Sequence, residues 1–176
     1  LRLPEPFFIL SAFAVLSRFS DPGARSGLEA RGIETHQADL LEDDALASLP
    51  DAPYVYLMAG HKFGATGNEP LTWAINTLLP AKVIRRFAGS KVIYVSSGNV
   101  YRFAAVDRAS TESDPVDPVG EYAQSRLGGE RLAEHLSASQ KTKLAIIRLF
   151  YATELRYGIL LDIGQRVLND EAIDLS

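Results

Sequence analysis

Short apolar runs alternate along this chain with longer segments in which apolar residues recur every three or four positions. Such alternation marks strands joined by helical crossovers, so the pattern predicts an α/β fold built on a parallel sheet. Strands are expected at Ala12–Ser17, Ile33–Gln37, Tyr54–Met58, Lys91–Ser96 and Lys143–Phe150, each rich in β-branched or aromatic residues and bounded by Gly, Pro, Asp or Ser. Most of these runs are continuously apolar, which predicts burial on both faces. Helices are expected at Ala24–Arg31, Asp43–Ser48, Glu69–Phe87, Val119–Ser137 and Ile159–Leu168. In Glu69–Phe87, Leu71, Ala74, Ile75, Leu78 and Leu79 form one apolar stripe, and Pro80 is expected to kink the helix or remove a hydrogen bond. Asp117-Pro118 reads as the start signal of the Val119 helix. No repeat, low-complexity tract or linker divides residues 1–176, which read as one domain.

Composition narrows the function classes. The chain has 176 residues, 47% hydrophobic and 23% charged, enough to build a core without covalent staples. No apolar run is long enough to span a bilayer. Its net charge is −4, with the basic residues scattered rather than gathered in a stripe, which argues against nucleic acid as a partner. The absence of cysteine excludes disulfides, thiolate nucleophiles and cysteine metal sites, and fits a reducing, cytoplasmic setting. Phe7-Phe8-Ile9-Leu10 and the apolar residues after it read either as a buried strand or as the apolar region of a signal peptide. The first residue is Leu rather than Met, which suggests processing or truncation.

Tyr122-Ala-Gln-Ser-Arg126 places a phenol and a permanent cation four residues apart, on one face of a helix. A nearby cation lowers a tyrosine pKa, and a tyrosine so tuned can act as general acid or base on a hydroxyl or carbonyl. The same spacing is common on solvated helix faces. Lys91-Val-Ile-Tyr-Val-Ser-Ser97 is a strand ending in two hydroxyls, and ligands of open parallel sheets bind beyond the carboxyl ends of strands. Ser97 is thus placed to reach a substrate, or else simply ends the strand in a turn with Gly98 and Asn99.

In order, Val92-Ile-Tyr-Val-Ser-Ser-Gly-Asn-Val-Tyr101, Pro115, Pro118, Tyr122-Ala-Gln-Ser-Arg126, Glu130 and Ile146-Ile-Arg-Leu-Phe150 resemble the extended short-chain dehydrogenase/reductase superfamily, in its NAD-dependent epimerase/dehydratase branch. The resemblance implies a Rossmann-like, doubly wound parallel sheet with flanking helices. It further implies an oxidoreductase on a nucleotide-sugar or similar hydroxyl or carbonyl substrate. Ser97 would hydrogen-bond the reacting oxygen, Tyr122 would transfer the proton, and hydride would pass to or from a nicotinamide. Ala38-Asp39-Leu40 resembles the adenine-contacting Asp-Leu of the family, giving Asp39 and Leu40 as cofactor residues. Tyr56-Leu-Met-Ala-Gly60 resembles the turn along the cofactor, giving Ala59 and Gly60, and Asn76 matches a helix Asn near the active site. Tyr122 and Arg126 complete the cofactor set with Arg18, which stands where NAD and NADP are distinguished and leans the expectation to NADP. A cap for Asp39, a tight turn at Ala59-Gly60 and an exposed helix face for Asn76 are the structural alternatives. No metal site is expected. The resemblance also implies a homodimer packed through Glu69–Phe87 and Val119–Ser137.

Departures from the family bear on activity. No glycine precedes Gly23, so the Gly-rich pyrophosphate turn is absent. The family's first strand and helix are then missing or replaced by Leu1–Phe13, and loss of that central strand would gap the sheet. Arg126 stands in place of the family's catalytic Lys, which it does not duplicate at a hydrogen-bonded site. Tyr151-Ala-Thr-Glu154 replaces the family's Asn-x-Tyr-Gly, while Arg156-Tyr-Gly-Ile-Leu-Leu-Asp162 is again family-like. The substrate region beyond is largely absent. These departures leave a second expectation: a degenerate, non-catalytic homologue serving as a binding or interaction module.

Overall fold

The computed structural model describes residues 13–62, 66–103, 107–150 and 159–173. Readings made on residues 1–12 and on residues 151–158 lie outside the described residues. Five strands and the helices between them follow the predicted order: β1 Ala14–Ser17, α1 Pro22–Glu29, β2 Glu34–Gln37, α2 Asp43–Ala47, β3 Tyr54–Leu57, α3 Glu69–Trp73, a π-turn Ala74–Leu78, α4 Leu79–Arg86, β4 Lys91–Ser97, a 3-10 turn Gly98–Val100, α5 Gly120–Gln140, β5 Lys143–Leu149 and α6 Ile159–Leu168. All strand pairs are parallel. Parallel sheets flanked by helices are the α/β class expected.

The strands fall into two sheets, β1-β2 and β3-β4-β5, with no ladder between β1 and β3 among the described residues. This is the interruption expected where no first strand with its Gly-rich turn can be found. It also corrects the expectation that most strands are buried on both faces. Among the described strands only β4, paired on both sides, carries a row of buried residues, Val92, Tyr94, Ser96 and Ser97. On β3, Tyr54 and Tyr56 are 57% and 60% exposed, and one edge of that strand has no neighbour among the described residues. Leu57, Leu79, Val83, Ile84, Phe87, Val92 and Tyr94 pack with Leu46, Leu49 and Ala133 into the core, against which Leu16 and Val55 also rest.

The segment Glu69–Phe87 shows what Pro80 does. With no amide hydrogen and a ring that crowds the carbonyl four residues earlier, a proline cannot continue an α-helical ladder. The helix widens into the π-turn just before it, and the carbonyl of Asn76 accepts instead from the Tyr94 hydroxyl at 3.2 Å. Helix α5 crosses closest at this point: a Cβ on Gly129 would collide with the Asn76 carbonyl oxygen and lie 2.6 Å from the Tyr94 hydroxyl. Only glycine permits that approach. At the start of α5 the cap is Val119, without a side-chain hydrogen bond, so Asp117-Pro118 lies ahead of the helix rather than capping it. Asp117 instead donates its amide to the Val100 carbonyl at 3.1 Å, tying the approach to α5 to the turn after β4.

Candidate active site

The carboxyl ends of β3 and β4, the π-turn and the first turns of α5 converge on one cluster of predicted site residues. Asn76 is fully buried, which removes the exposed-face alternative for it. Its Oδ1 accepts from the His61 amide at 2.8 Å, and its Nδ2 donates to the His61 carbonyl and to Ser125 Oγ, both at 3.0 Å. One side chain thus satisfies both backbone groups of the residue after Ala59-Gly60 and fixes that turn. His61 is further held through Nδ1 to Thr72 Oγ1 at 3.0 Å.

Arg126, 3% exposed, extends from α5 under this turn. Its Nη1 donates to the Ala59 carbonyl at 3.2 Å, its Nη2 donates to the Val95 carbonyl, and its guanidinium lies 5.1 Å from the centre of the Tyr94 ring. The carbonyl of Val95 near the end of β4 and that of Ala59 just past β3 therefore share one charge-assisted donor. Gly60 must lack a side chain here, since a Cβ would stand 2.9 Å from Arg126 Nη1. The Nε of Arg126 is buried without a hydrogen-bond partner among the described residues. Burial pushes the Tyr94 phenol up to about 12, against the opposing pull of the Arg126 charge.

Tyr122 and Arg126 do share a face of α5, yet the guanidinium makes its hydrogen bonds to backbone rather than to the phenol. Tyr122 remains half-buried, one turn before Arg126 on α5. Ser97 is buried, and its Oγ accepts from the Asn99 amide at 3.2 Å, the turn-forming bond expected of a strand-ending serine. Its neighbour Ser96 presents a buried Oγ with no partner among the described residues. The turn after β4 is braced from behind: Arg148 on β5 donates to both carboxylate oxygens of the fully buried Glu130, with Nη2 to Oε2 at 2.7 Å, and to the Tyr101 hydroxyl at 2.8 Å. Hydrogen bonding to Glu130 holds the Arg148 guanidinium well above its ordinary value.

The remaining predicted residues belong to the other sheet. Arg18 is exposed just past β1, and its carbonyl accepts from Gln37 Nε2 at 3.0 Å. Asp39 is exposed after β2 and its Oδ1 accepts from the Leu41 amide at 3.0 Å, a turn rather than the cap foreseen as its alternative, since Glu42 is the residue that precedes α2. Leu40 packs against the core. His61, Ser125 and Tyr94 escaped sequence reasoning because nothing in their spacing signals a shared site; only the crossing of α5 over the π-turn brings them together.

Tested against a nicotinamide dinucleotide, the described residues fit its two ends better than its middle. The tight turn at Gly60 and the partnerless Nε of Arg126 suit one end, and exposed Arg18 and Asp39 suit the other. For the pyrophosphate, the first helix after β1 offers little, because the Asp21 carboxylate already takes the Gly23 amide at 2.9 Å. Among the described residues no group of His, Asp and Glu is arranged to hold a metal ion. No described helix is long and apolar enough to cross a membrane.

Solved structures of the same fold include UDP-glucuronic acid 4-epimerase from Bacillus cereus in complex with NAD, 17% identical with a TM-score of 0.70 over 91% of this chain and 56% of that one. The UDP-Glc/GlcNAc 4-epimerase from Campylobacter jejuni is 18% identical, with a TM-score of 0.72 over 90% of this chain and 55% of that one. RMD from Pseudomonas aeruginosa, complexed with NADPH, is 21% identical, with a TM-score of 0.66 over 91% and 64%. The chain thus spans little more than half the length of the two epimerases. No curated protein matches it. The pattern of the NAD dependent epimerase/dehydratase family matches residues 11–153, more than half of the sequence, and the chain belongs to that family.

Proposed function

We propose that the chain is the nucleotide-binding part of an NAD(P)-dependent epimerase/dehydratase-type oxidoreductase acting on a nucleotide-sugar or a similar hydroxyl or carbonyl substrate. The observation that carries this reading is the convergence of Ala59-Gly60, Asn76 and Arg126 at the carboxyl ends of β3 and β4, with the half-buried Tyr122 one turn before Arg126 on α5. In it, Tyr122 takes or gives the proton on the substrate oxygen and Ser97 orients that oxygen once its hydroxyl turns from the Asn99 amide. Arg126 and Asn76 hold the floor, and Arg126 contributes positive charge beneath the reacting groups. Asp39 and Leu40 would lie along the adenine end, and Arg18 would pair with a 2′-phosphate, favouring NADP. The bound nicotinamide would supply hydride chemistry. A cytoplasmic protein that dimerises through the faces of α3–α4 and α5 belongs to the same reading.

Two observations favour the second reading, a non-catalytic scaffold. The guanidinium of Arg126 is committed to two backbone carbonyls, and Asp21 rather than a phosphate occupies the first helix amide. Titration with NADPH and NADH, following nicotinamide fluorescence and Tm together, separates the two, since a ligand that binds only the folded state raises its stability. Saturable binding with a raised Tm is expected, tighter for NADPH. A folded chain that binds neither cofactor would leave only the scaffold reading. Given a substrate, Tyr122→Phe should lower kcat by about 10²-fold or more with cofactor binding kept.

A further inference from the structure

His61 is fixed at both its backbone and its ring. Asn76 binds both of its backbone groups, and its Nδ1 lies 3.0 Å from Thr72 Oγ1. Thr72 is fully buried, and its hydroxyl carries one hydrogen, which goes to the Asn68 carbonyl at 3.0 Å. A carbonyl has two lone pairs, so the Thr72 amide, which donates to the same oxygen at 3.1 Å, does not displace that hydrogen. Thr72 Oγ1 is thus left to accept from His61, which makes Nδ1 the protonated nitrogen. The neutral ring then carries its free lone pair on Nε2. Nε2 makes no hydrogen bond among the described residues, and His61 is half-buried rather than closed off.

The surroundings select what Nε2 can meet. The turn that holds His61 stands past the carboxyl end of β3, where ligands of open parallel sheets bind. Three neighbouring acceptors are already taken: the Ala59 carbonyl by Arg126, the His61 carbonyl by Asn76, and Asn76 Oδ1 by the His61 amide. Arg126 itself offers only donors. A ligand hydroxyl entering this cluster needs an acceptor for its hydrogen, and Nε2 supplies one in a preset direction, with little left to order on binding. We propose, resting on the functional reading above, that His61 is a ligand-binding residue whose Nε2 accepts a hydroxyl hydrogen from the bound cofactor or sugar. Thr72 is then a positioning residue, acting through the form of the ring that it selects.

Two substitutions separate ligand binding from support of the turn. His61→Asn keeps an amide N–H where Nδ1 stands and removes the acceptor, whereas His61→Gln loses that donor and sets an amide oxygen near the place of Nε2. Titration of the full chain with NADPH, and of the NADP+-loaded chain with UDP-glucose, reads affinity, while Tm reads the fold. His61→Asn should weaken one of the two ligands by about fivefold or more, the worth of one hydrogen bond, with Tm kept. His61→Gln should restore most of that affinity while lowering Tm. A loss in the NADPH titration assigns the hydroxyl to the cofactor, and a loss confined to UDP-glucose assigns it to the sugar. The reverse order, with Asn harmless and Gln harmful to binding and Tm alike, would make His61 a support of the turn and overturn the proposal. An unaltered chain that binds neither probe would overturn the functional reading together with it. Nitrogen-15 NMR of the imidazole in the ligand-free chain should find Nδ1 protonated and Nε2 bare in the neutral ring, and the opposite tautomer would sink the proposal alone.

Discussion

Arg126 is the residue whose meaning changes most between sequence and fold. Its spacing from Tyr122 suggests a cation beside a phenol, and its hydrogen bonds to the Ala59 and Val95 carbonyls make it a clamp across two strand ends. Arg126→Met should therefore destabilise the fold by about 2 kcal/mol, because it takes the charged donor from two part-buried carbonyls; chemical denaturation measures it. A loss well under 1 kcal/mol would mean that those bonds contribute little. Tyr94 gives a pH signature. Its phenol is raised to about 12, so the neutral form is favoured in the folded state. Stability from this group is full below the ordinary tyrosine value and is lost as pH rises from about 10 through about 12, by roughly 3 kcal/mol in all. Denaturation curves collected from pH 9 to 12 should show that fall, and Tyr94→Phe should flatten it. At this scale the sequence named Asn76, Gly60 and Arg126 through their place in a family pattern. It could not name His61, Ser125 or Tyr94, whose roles depend on what crosses above them.

Among elements, the contact between α5 and the π-turn organises the site. Pro80 frees the Asn76 carbonyl, Tyr94 takes it, and Gly129 lets α5 come close enough for Arg126 and Ser125 to reach their partners. Gly129→Ala places a methyl group against a backbone carbonyl that cannot swing away. It should cost about 3 kcal/mol, the upper end for overpacking, and lower Tm accordingly. A second brace joins α5 to β5 through Glu130 and Arg148. Glu130→Ala should cost about 1.5 to 3 kcal/mol by removing the carboxylate that a part-exposed guanidinium hydrogen-bonds. A double-mutant cycle with Arg148→Met should recover a coupling above 0.5 kcal/mol, the sign of a direct pair. Periodicity located these elements to within about three residues, because apolar spacing is a local property. The π-turn was legible only as trouble at Pro80, since how a helix absorbs a proline depends on its neighbours.

Across the whole molecule, protection should be uneven. β4 alone among the described strands is paired on both sides and carries the buried row, so its amides should exchange most slowly and those of β2 faster by about 10²-fold or more. Hydrogen exchange read by mass spectrometry checks this, and equal protection of both strands would show that the two sheets open together. The amino-acid sequence by itself determined the α/β class, the order of the elements and the order of the family signals from Asp39 to Arg148, because each is written in local spacing. It also announced the missing Gly-rich turn. Tertiary structure alone decided which of the described strands pair, that Arg126 faces backbone rather than phenol, and that Asn76 is buried. Those outcomes depend on which edges find partners and which carbonyls remain unpaired once the layers pack, and no stretch of the chain holds both halves of such a contact.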